Sequence, residues 1–485
     1  MKSTHHPPHR RRQRGQTFLW FLATIAACCS VFALVYNVGQ VANHKEATIN
    51  AADATALSGA LVEARMLNFE AYINRAMVAN EVTIAQLVSL DSWLNYDNEL
   101  LQYIATYTQP IPYLDDVTQA IAQASQAAIS YVNPIIAAAV QPLEDVNSVL
   151  RGFREYANIT GAIAANDIAG KIARANATAP VGTFTPIVEG VNAIQWYSFT
   201  AIYSNDDRAI PRDVILNSRD PFSTKRGAGK LIDLLNTGLR ILGLNTTYIN
   251  FDKTSGTTTL QDYKDWAAQD SLDATFTFNP CVLFDCSITN FIPVPIGYGR
   301  ADADSDGSTG DDLCNVSPST TNCGLAVQNS NNINWSGMPD FRDLAKNLSK
   351  TDPCTTNNGS DSPSLTYIAA VQMPGNTTLT TQNIGMDTVD VPGPQGSPKM
   401  TDNLQNGGNL TSISAACTFF LRPDLNQESK AKAITGTALA RADGVHEYAS
   451  LFNPYWQARL TTPDPGWTAT LYTLIGRFGL NVVTP

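Results

Sequence analysis

GQTFLWFLATIAACCSVFALVYNVGQVAN, residues 15–43, is the stretch of sequence that decides the fold, because it contains no charged side chain. Within it, Thr17 to Tyr36 is a run of 20 mostly apolar residues. A helix rises about 1.5 Å per residue, so this run spans about 30 Å, the thickness of the hydrocarbon core of a bilayer. We therefore expect a transmembrane helix over residues 16–36.

The residues before this helix predict its orientation. Residues 1–15 carry five basic side chains and no acidic one. Because basic residues stay on the cytoplasmic side, we expect a cytoplasmic tail, a single pass through a bacterial inner membrane, and a periplasmic or extracellular bulk. The alternative is a cleaved secretory signal, but the apolar run exceeds the usual length of about 7–15 residues for the apolar region of a signal, and no small-x-small cleavage site follows it.

The helical pattern continues beyond the membrane. Residues 43–107 are rich in Ala, Leu, Glu and Gln and contain no proline, and apolar residues such as Ile73, Met77 and Ile84 recur at helical spacing. Residues 113–178 have the same character, with expected breaks near Pro134 and Pro142. Residues 37–178 are therefore predicted to form a helical rod or bundle.

The rest of the chain predicts a mixed, disulfide-containing body, so the expected fold class is α+β. Residues 301–363 are dominated by Asp, Asn, Ser, Thr and Gly, which predicts a long polar loop or insertion. It separates a mixed α/β region, residues 179–300, from a C-terminal α/β region, residues 364–485. The expected elements are helices at 228–242 and 430–442 and strands at 246–251, 275–278, 365–371 and 413–421.

Charge excludes one class of external partner. The chain has 32 basic and 43 acidic residues, and the basic tail holds five of the former. The part beyond the membrane is therefore acidic, whereas binding to nucleic acid phosphates requires a basic face. We therefore expect no nucleic acid as an external partner.

Six of the eight cysteines lie in the C-terminal half, in a compartment that permits disulfides. Six cysteines can pair in several ways, and sequence alone does not fix the pairing. Pairs that close short loops are favoured, and the two cysteines that remain would form the third bridge. The alternative is that some of these thiols are free and buried. The favoured pairs are Cys281–Cys286, Cys314–Cys323 and Cys354–Cys417.

One segment has the spacing of a metal site. Asp302, Asp304 and Asp306 alternate along the chain and are followed by Gly307, which matches the first half of a calcium-binding loop. Ser308 would contribute a backbone carbonyl, and Asp311 or Asp312 would replace the usual final glutamate. The segment therefore predicts either a calcium site or a solvated acidic loop.

Small residues line one face just beyond the membrane. Ala52, Ala56 and Gly59 lie at i, i+4 and i+7, so they share one side of the predicted helix. Such a face allows another backbone to approach closely. We expect either an assembly face for neighbouring helices or packing within the monomer.

Two motifs flank the membrane span: Arg14-Gly15-Gln16 before it, and NAADATALSGA, residues 50–60, after it. Together they resemble the N-terminal region of TadG-like proteins of the Flp (tight adherence) pilus system. Pilins of that system carry a glutamate five residues after a similar glycine, and here that position is Trp20. The resemblance implies a membrane-anchored component of pilus assembly whose partners are pilus-assembly proteins or a second copy.

Residues for catalysis are scarce in the sequence. The chain has five histidines, and four of them precede residue 45, so neither a multi-histidine zinc site nor a catalytic triad is indicated. No catalytic residues and no small-molecule substrate are therefore predicted. The expected function is structural, in the assembly of a Flp/Tad-type pilus or envelope appendage. The alternative is a calcium-binding surface adhesin or receptor.

Overall fold

Two long helices and several small sheets make up the part of the chain that the computed structural model describes. The described residues are 16–176, 186–227, 249–278, 281–282, 285–286, 289–290, 294–314, 321–348, 363–374, 378, 409–422 and 448–463. The predicted basic tail at 1–15 and the predicted helices at 228–242 and 430–442 lie outside them. The α+β class is confirmed.

The first helix, α1, runs from Gln16 to Thr108 without interruption. Its 93 residues correspond to a length of about 140 Å. The predicted membrane span and the start of the predicted rod are therefore one element. No proline occurs between these limits, and Pro110 and Pro112 lie in the turn that follows.

The second helix, α2, runs from Leu114 to Asn176 and returns antiparallel to α1. Its direction follows from side-chain pairs at both ends: Asn98 Nδ2 donates to Gln126 Oε1, and Asn158 Nδ2 donates to Glu70 Oε1. The predicted breaks are wrong, since Pro134 and Pro142 both lie inside α2. Both prolines are on its exposed side, where carbonyls that lose a helical partner can bond to water.

Short elements follow the two helices. They are α3 (Pro186–Phe199), β1 (Thr200–Tyr203), a 3₁₀ helix (Asn205–Arg208), α4 (Ala209–Asn217) and α5 (Pro221–Thr224).

A five-stranded sheet covers the half of α1 that is farther from the apolar end. It consists of β2 (Ile249–Gln261), β3 (Asp265–Phe278), β6 (Thr289–Asn290), β7 (Val294–Asp304) and β8 (Asn331–Asn334). β3 pairs antiparallel with β2 and β7, whereas β8 pairs parallel with β7. Its apolar side chains share one core with α1 residues such as Met77, Ile84 and Val88. Gly299 of β7 lies against the α1 backbone, because a Cβ there would overlap the carbonyl oxygen of Ser92.

A two-residue pair, β4 (Cys281–Val282) and β5 (Asp285–Cys286), forms a separate hairpin. Beyond β7, the chain forms α6 (Thr321–Gln328), β8 and β9 (Phe341–Leu344), and β9 pairs antiparallel with β1. The expectation of a polar loop over residues 301–363 is therefore too simple. The buried side chains of Ile333, Trp335 and Phe341 anchor this region in the core, even though most of its residues are polar.

A three-stranded antiparallel sheet covers the half of α1 nearer the apolar end. Its strands are β10 (Leu365–Pro374), β11 (Asn409–Phe420) and β12 (Trp456–Thr461), with β11 in the centre. β10 contains the predicted strand at 365–371, and β11 contains all but the last residue of the predicted strand at 413–421. The sheet is tied to α1 by polar contacts as well as by packing: Ser414 Oγ donates to Asp53 Oδ1, and Thr418 Oγ1 donates to the Ala60 carbonyl.

This sheet occupies the predicted assembly face. Ala52 and Ala56 are fully buried, Ala52 beside Val371 of β10 and Ala56 in the cluster that holds Tyr367. A Cβ at Gly59 would overlap the ring of Tyr367. Of the two alternatives for this face, the structure shows packing within the monomer. A neighbouring helix cannot reach these three residues, because the chain's own sheet already covers them.

Replacing Gly59 with alanine tests this packing. In an open helix the change would stabilise the protein by up to about 1 kcal/mol, because alanine has the higher helix propensity. Here we expect destabilisation of roughly 1–3 kcal/mol, because Tyr367 is buried, is held by Asn166, and cannot make room without repacking. Urea unfolding of the purified protein in detergent measures the difference.

Gly190 in α3 is the matched control, since an added Cβ there meets no atom within 4 Å. We expect Gly190→Ala to leave stability unchanged or to increase it. Equal effects of the two substitutions would show that the ring of Tyr367 does not confine Gly59.

Candidate interaction surface

The first 20 or so residues of α1 stand clear of the rest of the chain. Among the described residues, one helix is long and apolar enough to cross a membrane, and its most hydrophobic window has no buried residue. Phe18, Trp20 and Phe32 are more than 60% exposed. Such an apolar surface requires lipid or protein around it. The structure therefore supports the predicted span by length and composition, while its orientation stays a prediction.

A second exposed apolar surface runs along α2. We call it the α2 stripe and define it by nine large side chains that point away from α1. Tyr131 is 75% exposed and Tyr156 is 67% exposed. The intervening positions on this face, such as Ala124, Ala138 and Thr160, are small and uncharged. The nine are Val117, Ile121, Tyr131, Ile135, Val146, Val149, Phe153, Tyr156 and Ile163.

The opposite face of α2 explains why the stripe is exposed. Ile136, Val140, Ala165 and Ala169 are buried, and they lie in the clusters shared with α1. The two faces are separated around the helix, so α2 is apolar on both sides but is covered on only one. Sequence reasoning missed the α2 stripe, although its spacing at three and four residues was visible. Periodicity alone does not say which of two apolar faces is buried.

Polar residues on α1 are buried at regular points along its length. Glu63, Glu70, Glu81 and Asp91 are at most 1% exposed. Each accepts a hydrogen bond from another element. The donors are Thr418 Oγ1 to Glu63 (3.2 Å), Asn158 Nδ2 to Glu70 (3.3 Å), Asn147 Nδ2 to Glu81 (2.8 Å) and Asn331 Nδ2 to Asp91 (2.6 Å). These pairs fix the register of α1 against α2 and both sheets, since a buried carboxyl without a partner is costly.

Burial keeps these carboxyls partly protonated near neutral pH. It raises the pKa of Glu63 and of Glu81 to about 8 and that of Glu70 to about 7. The pKa of Asp91 rises to about 6 for the same reason. None of the four faces an open cleft or a nucleophile among the described residues. We assign them a structural role, because their partners are amides, a hydroxyl and an indole.

A cleft of about 810 Å³ lies between α1, α4 and the segment around Phe452. Its lining is mostly apolar, from residues such as Val78, Val82 and Val214. The Arg75 side chain at its wall donates to the Phe452 carbonyl and to Asn453 Oδ1, so it contributes to holding this segment on α1. The cleft brings together no acid–base pair of the kind that catalysis requires.

The predicted calcium ligands do not converge. Asp302 and Asp304 lie on β7, whose extended backbone cannot wrap around an ion as a loop does. Both oxygens of Asp302 accept from Arg300, at 2.7 Å each. Asp304 Oδ1 accepts from the backbone of Asp306 and Gly307, and Asp312 Oδ1 accepts from Gln269 Nε2 and the Cys314 backbone.

Asp306 and Ser308 lie in the exposed turn after β7, where the Ser308 N–H donates to Asp306 Oδ1. Across the described residues, no three metal-ligating side chains come together. The calcium hypothesis is therefore corrected: the alternating carboxylates form a buried ion pair and a turn. The alternation reflects the two-residue period of a strand, which sequence spacing cannot distinguish from a metal loop.

The cysteines fall partly outside the described side chains. Cys314 and Cys417 are each in a disulfide bond. The side chains of Cys323 and Cys354 are not among those that the structure describes. Cys281 and Cys286 face each other as backbone partners of β4 and β5. The three predicted pairings remain predictions. Cys28 and Cys29 in the apolar span are free.

The Asp302–Arg300 pair yields a stability prediction. Asp302→Asn removes the negative charge and leaves Arg300 buried without its counter-charge. We expect a loss of about 3–5 kcal/mol in the free energy of unfolding. The control is Asp306→Asn, which lies in the exposed turn and should leave the free energy of unfolding nearly unchanged. A melting temperature that rises with millimolar calcium in the wild type, but not in Asp306→Asn, would restore the calcium site.

The buried carboxyls predict that stability falls as pH rises. Because the pKa of Glu63 is higher in the folded chain than in the unfolded chain, folding is favoured below the ordinary glutamate pKa. This contribution is lost as pH rises from about 4.5 through about 8, at up to about 1.4 kcal/mol per pH unit. Glu63→Gln should therefore match the wild type near pH 4.5 and be more stable at pH 9, as measured by urea unfolding. The exposed Glu46→Gln should follow the wild type at both values, and a parallel pH slope for Glu63→Gln would contradict the assignment.

Comparison with protein-family models, with curated proteins and with solved structures finds no match for this chain. The TadG-like resemblance of residues 14–60 therefore stays a prediction.

Proposed function

We propose that this chain is a membrane-anchored structural component in the assembly of a Flp/Tad-type pilus or similar envelope appendage, acting through helix-mediated protein contacts. One observation carries the proposal: α1 joins an exposed apolar end to the centre of the folded body without a break. A flexible linker would allow the body to move independently of the membrane. A continuous helix instead holds it at a fixed distance and angle, as a scaffold requires.

The TadG-like motif supports the same proposal through its location. Residues 50–60 lie on α1 between its apolar end and the first buried glutamate, Glu63. The three-stranded sheet packs on the helix at this point. Ala51, Ala52, Thr55 and Ala56 of this motif are fully buried. The small residues of the motif allow the three-stranded sheet to pack closely on α1. In the proposed topology, this contact holds the sheet close to the membrane.

The residue chemistry favours a structural role over catalysis. The buried carboxyls of α1 are bonded to amides and hydroxyls, and the buried arginines Arg154, Arg226 and Arg300 each contact a carboxylate. These groups therefore serve folding. The rival interpretation, a calcium-binding adhesin or receptor, loses its main residue support with the engagement of Asp302 and Asp304 in β7.

Reporter fusions test the topology on which the proposal depends. Alkaline phosphatase fused after residue 110, in the turn between α1 and α2, should be active, because it folds only outside the cytoplasm. A cytoplasmic reporter at the same point should be inactive. The reverse pattern would place the body inside the cell and end the proposal.

Co-purification tests the assembly role directly. Full-length protein solubilised from native membranes should retain inner-membrane proteins of the pilus-assembly apparatus, identified by mass spectrometry. A control chain in which residues 16–36 are replaced by an unrelated transmembrane helix keeps the anchor and the body. If the full-length sample does not enrich proteins of the pilus-assembly apparatus, or enriches only unrelated membrane proteins, the result would contradict assembly as the function.

A further inference from the structure

The α2 stripe is longer than incidental surface exposure explains. It extends from Val117 to Ile163, which corresponds to about 70 Å of helix. Its nine large side chains expose apolar surface on the order of 1,000 Å², more than the few hundred Å² usual on a monomer. That area is close to the roughly 800 Å² that each partner contributes to a stable protein interface.

The spacing within the stripe is that of a helix–helix seam. From Val146, successive positions on the exposed face are separated by three, four, three, four and three residues, ending at Ile163. Alternating steps of three and four residues repeat every seven residues, which is the heptad spacing that keeps one side of a helix against a partner helix in a coiled coil. The six positions are Val146, Val149, Phe153, Tyr156, Thr160 and Ile163.

The inner face of α2 cannot accommodate that partner, because α1 already covers it. Asn147 and Asn158 of α2 bond to Glu81 and Glu70 of α1, which places them about 100° or more around the helix from the stripe. The seam is therefore additional to the α1–α2 contact. A helix that docks there lies on the outside of the body.

We propose that the α2 stripe joins two copies of this chain, with their α2 helices side by side and parallel. The proposal deepens the proposed function and rests on it for the shared membrane anchor. Two copies inserted in the same direction present identical stripes that run in the same direction at the same height. A twofold axis along the membrane normal then brings each stripe against itself, as a closed dimer requires. Confinement of both copies to one bilayer raises their effective concentration.

Cysteine cross-linking in vesicles tests the contact. The full-length protein carries Cys28→Ala and Cys29→Ala and is reconstituted alone in phospholipid vesicles. In this background, Tyr156→Cys should give a covalent dimer on mild oxidation. Ser148→Cys is the matched control, because it is exposed on the same helix but lies outside the six seam positions, about 80° around the helix from Tyr156. We expect at least about tenfold more dimer at position 156 than at position 148, since only a seam residue faces its own copy.

A second variant separates association from folding. Phe153→Glu combined with Tyr156→Glu places like charges across the seam, so the dimer should be lost in native mass spectrometry. The melting temperature of the monomer in detergent should not change, because both side chains are exposed. Retention of the dimer in this variant, or equal cross-linking at positions 148 and 156, would overturn the proposal.

The remaining outcomes identify other occupants. A cross-link within one chain would show that another segment of the same molecule covers the stripe. A cross-link to a different protein, found in native membranes but not in vesicles, would show a heterotypic interface. Either result overturns the dimer. The vesicles contain this chain alone, so failure of the dimer there is independent of the co-purification result that tests the assembly role.

Discussion

The rest of the structure depends on the burial of α1 beyond its apolar end. Each larger element, whether α2, the five-stranded sheet or the three-stranded sheet, packs on this helix. The two sheets meet it at different heights, and in the described residues the three-stranded sheet does not pair with the five-stranded one. Without α1 they would lose their common support. Small residues such as Ala52 and Gly59 allow close approach on one stretch, and Gly299 of β7 does so on another.

Buried polar pairs make this arrangement specific. Apolar burial alone would specify the register of α2 along α1 only weakly, because many of the buried positions of α2 are alanines, which offer the same small side chain at each turn. Glu70 with Asn158 and Glu81 with Asn147 allow only one register, since a shift would leave carboxyls buried without donors. The same burial that fixes the register also raises the pKa values of these two acids.

Part of this architecture follows from sequence in physical terms. The apolar span and the helix after it were predictable because charge and proline are absent over a long interval. The strands at 365–371 and 413–421 were predictable from their β-branched and aromatic residues. The breaks at Pro134 and Pro142 were wrong, because tertiary packing along α1 outweighs the loss of local hydrogen bonds. The calcium hypothesis failed because Asp302 and Asp304 alternate along a strand, where Asp302 pairs with Arg300 of the same strand and Asp304 accepts from the backbone of the following turn. The α2 stripe could not be found, because both faces of α2 are apolar and sequence does not say which one α1 covers.

The unbroken helix between the apolar end and the body also has a mechanical consequence. Any tension applied to the body is transmitted along α1 to the apolar end with no slack to absorb it. A load directed along the axis acts on the hydrogen bonds of every turn in series, so the helix serves as a strut in compression and as a tether in tension. A twist of the body likewise turns the apolar end. In the proposed assembly role, an appendage built against this chain would therefore exert its force on the anchor through a single rigid rod.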